Sequence, residues 1–176
     1  KEQFSYRARK WLLQQLSSTR RATQHKRIIN NDWDILIILD SCRAGVLKSV
    51  ANWPVETVVS PASCTPAWIR EMKSYDIFGD KIISANPQYE KFNLDVEPYY
   101  KSHWNEKLST VLPEPVLNRV NKLANNDIKV IAHLQQPHWP YVAKFGESWR
   151  LAYSELGPWN SIKGEIEAVQ VAMARG

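Results

Sequence analysis

Asp34-Ile35-Leu36-Ile37-Ile38-Leu39-Asp40-Ser41-Cys42-Arg43 is the stretch on which the fold turns. Five consecutive apolar residues, three of them β-branched, stand between two acidic ones. Such a run is too short for a buried helix and predicts a buried strand over 34–39. Its carboxyl end delivers Asp40, and Ser41-Cys42-Arg43 lead into a short helix predicted near 42–50. Thr57-Val58-Val59 predicts a second strand, followed by Ser60-Pro61-Ala62-Ser63-Cys64-Thr65-Pro66-Ala67-Trp68. Two strand ends would thus bring an Asp and a Cys/Thr cluster to the edge where open α/β sheets bind ligands.

The Cys/Thr cluster has its own physical logic. Thr65 suits an N-cap and Pro66 a first helical position, so a helix is expected through Met72. Cys64 would then face the free N–H groups and the positive dipole end of that helix. This setting attracts anions and favours a thiolate. The same cluster also fits an ordinary capped helix with a buried, inert thiol.

Further along, Val130-Ile131-Ala132-His133-Leu134 predicts another strand, over 128–134, and Gln135-Gln136-Pro137-His138-Trp139-Pro140-Tyr141 follows it. Together these pieces resemble the alkaline phosphatase superfamily, its sulfatase-like branch in particular. They are Ile-Leu-Asp-x-x-Arg after a strand, Cys-x-Pro at a helix start, and Pro-His-x-Pro-Tyr after a central strand. The resemblance covers roughly residues 33–141. It implies a mainly parallel α/β sheet with helices on both faces and a hydrolase of sulfate or phosphate esters. Asp40 takes the place of a metal ligand, for calcium, zinc or manganese. Cys64 takes the nucleophile position, and Arg43, Thr65 and His138 would contact the anionic ester. The pattern departs from the family at three places. Trp68 stands where sulfatases have Arg after Cys-x-Pro, which argues against formylglycine at Cys64. Ser41 stands where a second acidic residue often follows the Asp. No later Asp-His-Gly segment occurs before Gly176, so the sequence reads as the amino-terminal half of such a domain, incomplete at its carboxyl end and catalytically silent by itself. A non-catalytic binding or structural protein derived from the same fold is the alternative.

Individual residues also carry plainer readings. Asp40 could cap the next helix, and Arg43 could pair with Asp40 rather than clamp an anion. His138, held between prolines, could donate to a leaving-group oxygen or simply face solvent. His133 lies inside a strand and reads as structural, and His25 and His103 have no partners in the pattern.

Composition sets the limits. At 176 residues the chain is long enough for a real core, and 44% apolar residues with mixed charge fit a globular class. No apolar stretch approaches the roughly 18 residues that span a bilayer. Two cysteines make no disulfide framework and suit a cytoplasmic protein. The net charge of +5 is uneven: residues 1–30 hold eight Lys and Arg against Glu2 alone, leaving the remainder slightly acidic. That division suggests a basic segment with linker over 1–31 and an α/β domain over 32–176. Phe4, Ala8, Trp11, Leu12 and Leu16 share one helical stripe, so residues 3–18 are expected to pack on the domain, on a partner protein or on a membrane surface. The basic residues form no nucleic-acid recognition motif, which makes nucleic acid the least favoured partner. Lys81-Ile82-Ile83-Ser84-Ala85 predicts a further strand, 86–104 a loop-rich insertion, and 113–126 and 160–174 helices.

Overall fold

Strand β1 (Ile35–Leu39) and strand β6 (Val130–Leu134) lie side by side and parallel, in register from Ile35 opposite Val130 to Leu39 opposite Leu134. β2 (Lys81–Ser84) flanks β6 on its other side, and β3 (Val96–Pro98) completes the sheet in the order β1-β6-β2-β3, every pairing parallel. The computed structural model describes residues 23–51, 53–124, 127–145, 148–151 and 166. The helix expected over 3–18 lies outside the described residues, as does nearly all of that over 160–174. The chain divides into two units, Lys1–Asp32 with Thr57–Ile77, and Trp33–Glu56 with Phe78–Gly176.

The second unit carries the sheet. Strand side chains alternate between faces, and the pattern separates two environments. Val130, Ala132 and Leu134 of β6 join Ile83 of β2 in a buried cluster, with Ile35, Ile37 and Leu39 of β1 packed against it. Helix α5 (Pro113–Leu123) covers this face through Val116, Leu117 and Val120, spaced to fall on one helical stripe. Pro113 and Pro115 stand in its first turn, where a missing N–H costs nothing. Ile131 and His133 of β6, Ile82 and Ser84 of β2, and Leu36 and Ile38 of β1 point the other way by the same alternation. Asp40 continues the Leu36, Ile38 series.

The segment 86–104 is more ordered than its composition suggests. It contains a 3-10 turn (Pro87–Lys91), strand β3, helix α4 (Tyr99–Ser102) and the start of β4 (Trp104–Asn105), which pairs antiparallel with β5 (Thr110–Val111). A hairpin of β7 (Val142–Phe145) and β8 (Ser148–Leu151) follows the sheet, and Trp149 of β8 donates its indole N–H to Glu114 of α5 at 2.6 Å. Helix α2 (Ala44–Val50) follows β1 directly.

In the first unit, α1 (Gln24–Asn30) and α3 (Thr65–Ser74) are linked by the Trp68 indole, which donates to the Gln24 side-chain Oε1 at 2.8 Å. Trp68, Ile69 and Met72 are the buried stripe of α3. The strand expected at 57–59 does not form. The Val59 carbonyl accepts the Thr23 and Gln24 amides at 3.0 and 3.1 Å, and its own amide donates to the Thr23 hydroxyl at 3.0 Å. Backbone groups spent on the first turn of a helix are not free for a ladder. Among the described residues, no helix is long and apolar enough to cross a membrane.

Candidate functional site

A polar cluster sits at the carboxyl edge of the parallel sheet, built from three consecutive strands in space. β1 ends on Asp40, β2 leads through Ser84 to Asn86, and β6 carries His133 one residue before its end. Asn86 donates its amide to Asp40 Oδ2 at 2.8 Å, fixing the carboxylate. Asn86 is itself held: its Oδ1 accepts from the Gln88 amide at 2.9 Å, and its backbone N–H and C=O both engage the Ser84 hydroxyl, at 3.0 and 3.1 Å. This is an Asx-type cap of the 3-10 turn, and the turn delivers Tyr89. The Tyr89 hydroxyl meets His133 Nδ1 at 3.0 Å, and the two rings pack edge to face with centroids 5.4 Å apart.

Electrostatics tie the pieces together. His133 is only 2% exposed, and burial pushes its imidazole down to about 4, with the nearby Asp40 carboxylate pulling weakly the other way. Burial first, and the Asp40 charge second, push the Tyr89 phenol well above its ordinary range. At neutral pH the pair is therefore an uncharged imidazole and an uncharged phenol beside one carboxylate. Such a group can accept or pass one proton in a water-poor setting without itself carrying charge at rest.

The other sequence-nominated residues sit in varied settings. Ser41 follows Asp40 in a left-handed conformation, φ 62°, turning the chain from β1 toward α2. Arg43 caps α2 through its carbonyl; its side chain is exposed and makes no ion pair among the described residues. His138 is exposed, with Nδ1 2.7 Å from the Trp139 carbonyl oxygen. Cys64, in the first unit, is an exposed free thiol. It occupies the cap position expected for Thr65, in extended conformation and without a side-chain capping bond, while Thr65 opens the helix and Pro66 follows. A cap needs extended backbone before the first helical turn, and Cys64 supplies it at φ −144° and ψ 152°. Trp68 is a buried anchor of its own unit. Cys42 is half-buried, and burial pushes its thiol up to about 11.

His133, Tyr89 and Asn86 were not singled out by motif. The alternation of β6 against β1 carried the signal for His133, since Ile38 and His133 are register partners and Asp40 shares their face. Nothing in the residues alone pairs Tyr89 with a histidine forty-four residues later in the chain.

A divalent cation finds few ligands in this cluster. Among the described residues no group of three or more His, Cys, Asp or Glu side chains could hold one. Asp40 supplies one carboxylate, and Asn86 turns its amide nitrogen, not its oxygen, toward it. Hard cations take about six oxygen ligands, so these residues by themselves do not fit the ion. No family model, no curated protein and no solved structure matches the chain.

Proposed function

We propose that this chain is part of a hydrolase of sulfate or phosphate esters, of the sulfatase-like kind, whose chemistry involves the Asp40 edge. The observation that carries the reading is the grouping of Asp40, Asn86, Tyr89 and His133 at the carboxyl edge of a parallel sheet. Burying an imidazole–phenol pair beside a carboxylate costs folding free energy that an apolar trio would not. Polar groups concentrated at that edge, with perturbed proton affinities, are characteristic of functional sites. In this reading Asn86 orients Asp40, and Tyr89 holds the ring of His133. The nucleophile by resemblance is Cys64, an exposed free thiol at the amino end of a ten-residue helix. Thr65, Arg43 and His138 are the candidate contacts for the anionic ester. Calcium, zinc or manganese would need ligands beyond Asp40, so the metal carries no step here.

The test is hydrolysis of 4-nitrophenyl sulfate and 4-nitrophenyl phosphate by the protein expressed from its complete reading frame, with each of the three cations and with chelator. Turnover that falls at least a hundredfold in both Asp40→Asn and Cys64→Ala supports the proposal. Turnover indifferent to Asp40→Asn overturns the proposed role of the Asp40 edge; none with either ester overturns the proposal whole and leaves the non-catalytic binding reading.

A further inference from the structure

A hollow of about 400 Å³ lies beside the His138 turn, lined by residues 107–109 and 139–141 and by Leu151. Its described lining residues all belong to the sheet-bearing unit. We propose that it binds a planar aromatic group that carries a negative charge. Under the hydrolase reading, on which this identification of the occupant rests, that group is the aromatic side of the ester.

Three observations lead to this ligand class. Trp139 is 58% exposed, although tryptophan is costly to leave in water and is enriched where rings are stacked. It meets Tyr141 edge to face, with centroids 5.8 Å apart, so the two rings form a corner rather than a flat patch. Pro137 and Pro140 bracket the turn and each fixes its own φ, which narrows the conformations the wall can adopt before anything binds. The second observation is charge. Among the described residues Lys107 is the single charged one lining the hollow, none of them is acidic, and Lys107 makes no ion pair with any of them. A cation at the rim of an apolar corner selects an anionic substituent on an apolar body. The third is size. About 400 Å³ falls at the lower end of the roughly 300–1,000 Å³ typical of small-molecule sites, which suits one or two fused rings.

The probes are 2-naphthalenesulfonate, its neutral counterpart 2-naphthol, and methanesulfonate, each titrated calorimetrically into the full-length protein. The expected result is single-site binding of naphthalenesulfonate, much weaker binding of methanesulfonate, and a loss of about tenfold or more in Trp139→Ala. Trp139→Phe should retain affinity within about threefold, which keeps the test decisive if the alanine variant misfolds. Lys107→Met should weaken naphthalenesulfonate by about three- to tenfold and leave 2-naphthol unchanged. Absence of binding, affinity indifferent to Trp139, or equal effects of Lys107→Met on both naphthyl ligands would each overturn the inference. Naphthalenesulfonate binding without ester hydrolysis would sink only the hydrolase proposal and leave the aromatic-anion site standing. Hydrolysis of aryl esters unaffected at Trp139 would sink only the site.

Discussion

Replacing His133 with Gln removes a titrating ring while leaving a group that can still hydrogen-bond the Tyr89 hydroxyl. In the folded chain the imidazole is depressed to about 4 by burial, against about 6.5 when unfolded. A depressed basic group means that the unfolded chain binds the extra proton. Its contribution to stability is therefore complete above pH 6.5 and is lost progressively as pH falls toward 4. Integrating one proton over that window gives a loss of about 2 kcal/mol between pH 7 and pH 4.5. The slope approaches about 1.4 kcal/mol per pH unit in the steep part. Urea unfolding of the wild type and His133→Gln at half-unit steps from pH 7.5 to 4.5 reads this directly. The variant should start less stable at pH 7, because Gln fills the ring's space poorly, but its curve should be flatter by about 2 kcal/mol across the window. Carboxylates common to both proteins cancel in the comparison. Parallel curves, or an imidazole titration of His133 by NMR centred near 6.5, would refute a buried neutral ring beside Asp40.

Other outcomes follow from separate parts of the chain. A Cβ at Gly79 would lie 2.6 Å from the Lys129 carbonyl oxygen and 2.8 Å from its Cβ, so Gly79→Ala should cost about 1–3 kcal/mol in urea unfolding, and an unchanged midpoint would contradict the close approach. The Arg119 guanidinium grips Glu97 at 2.8 and 2.9 Å and holds its carboxyl below the usual range, helped by Lys81. Arg119→Met should therefore raise the Glu97 titration seen by NMR, and an unmoved titration would show the pair to be loose in solution. Iodoacetamide at pH 7.5 should label exposed Cys64 at least tenfold faster than Cys42, whose thiol burial lifts to about 11; equal rates by mass spectrometry would deny that burial.

The parts of the fold visible in the residues were those set by apolar periodicity. The runs at 35–39 and 130–134 form parallel strands, the first half-buried and the second buried, and α3 and α5 carry prolines in their first turns, Pro66 following Thr65 and Pro113 opening its helix. The expected strand at 57–59 was lost to tertiary demand: the Val59 backbone is used by Thr23 and Gln24, residues whose distance along the chain hides the pairing. Segment 86–104 looked like loop because Tyr, Pro and Asn suppress periodicity, yet β3 needs only three residues to join an edge. At the site, Asp40 was legible as a strand-end carboxylate. Its partners were not, because Asn86 and Tyr89 act through an Asx cap and a single ring contact that leave no repeat to read.

The order β1-β6-β2-β3 has a consequence for synthesis. Ile35 pairs with Val130, ninety-five residues later in the chain. At roughly 5–20 residues per second, a ribosome takes about 5–20 s to make the partner that β1 requires. During that interval Ile35-Leu36-Ile37-Ile38-Leu39 is an uncharged, β-branched, proline-free segment with no strand to join. Such a window is of the kind that seeds intermolecular pairing. The acidic residues Asp32, Asp34 and Asp40 stand at its two ends, where flanking charge disfavours intermolecular pairing. The Asp40 carboxylate would thus serve before the folded cluster exists, as one of the charges that border this segment.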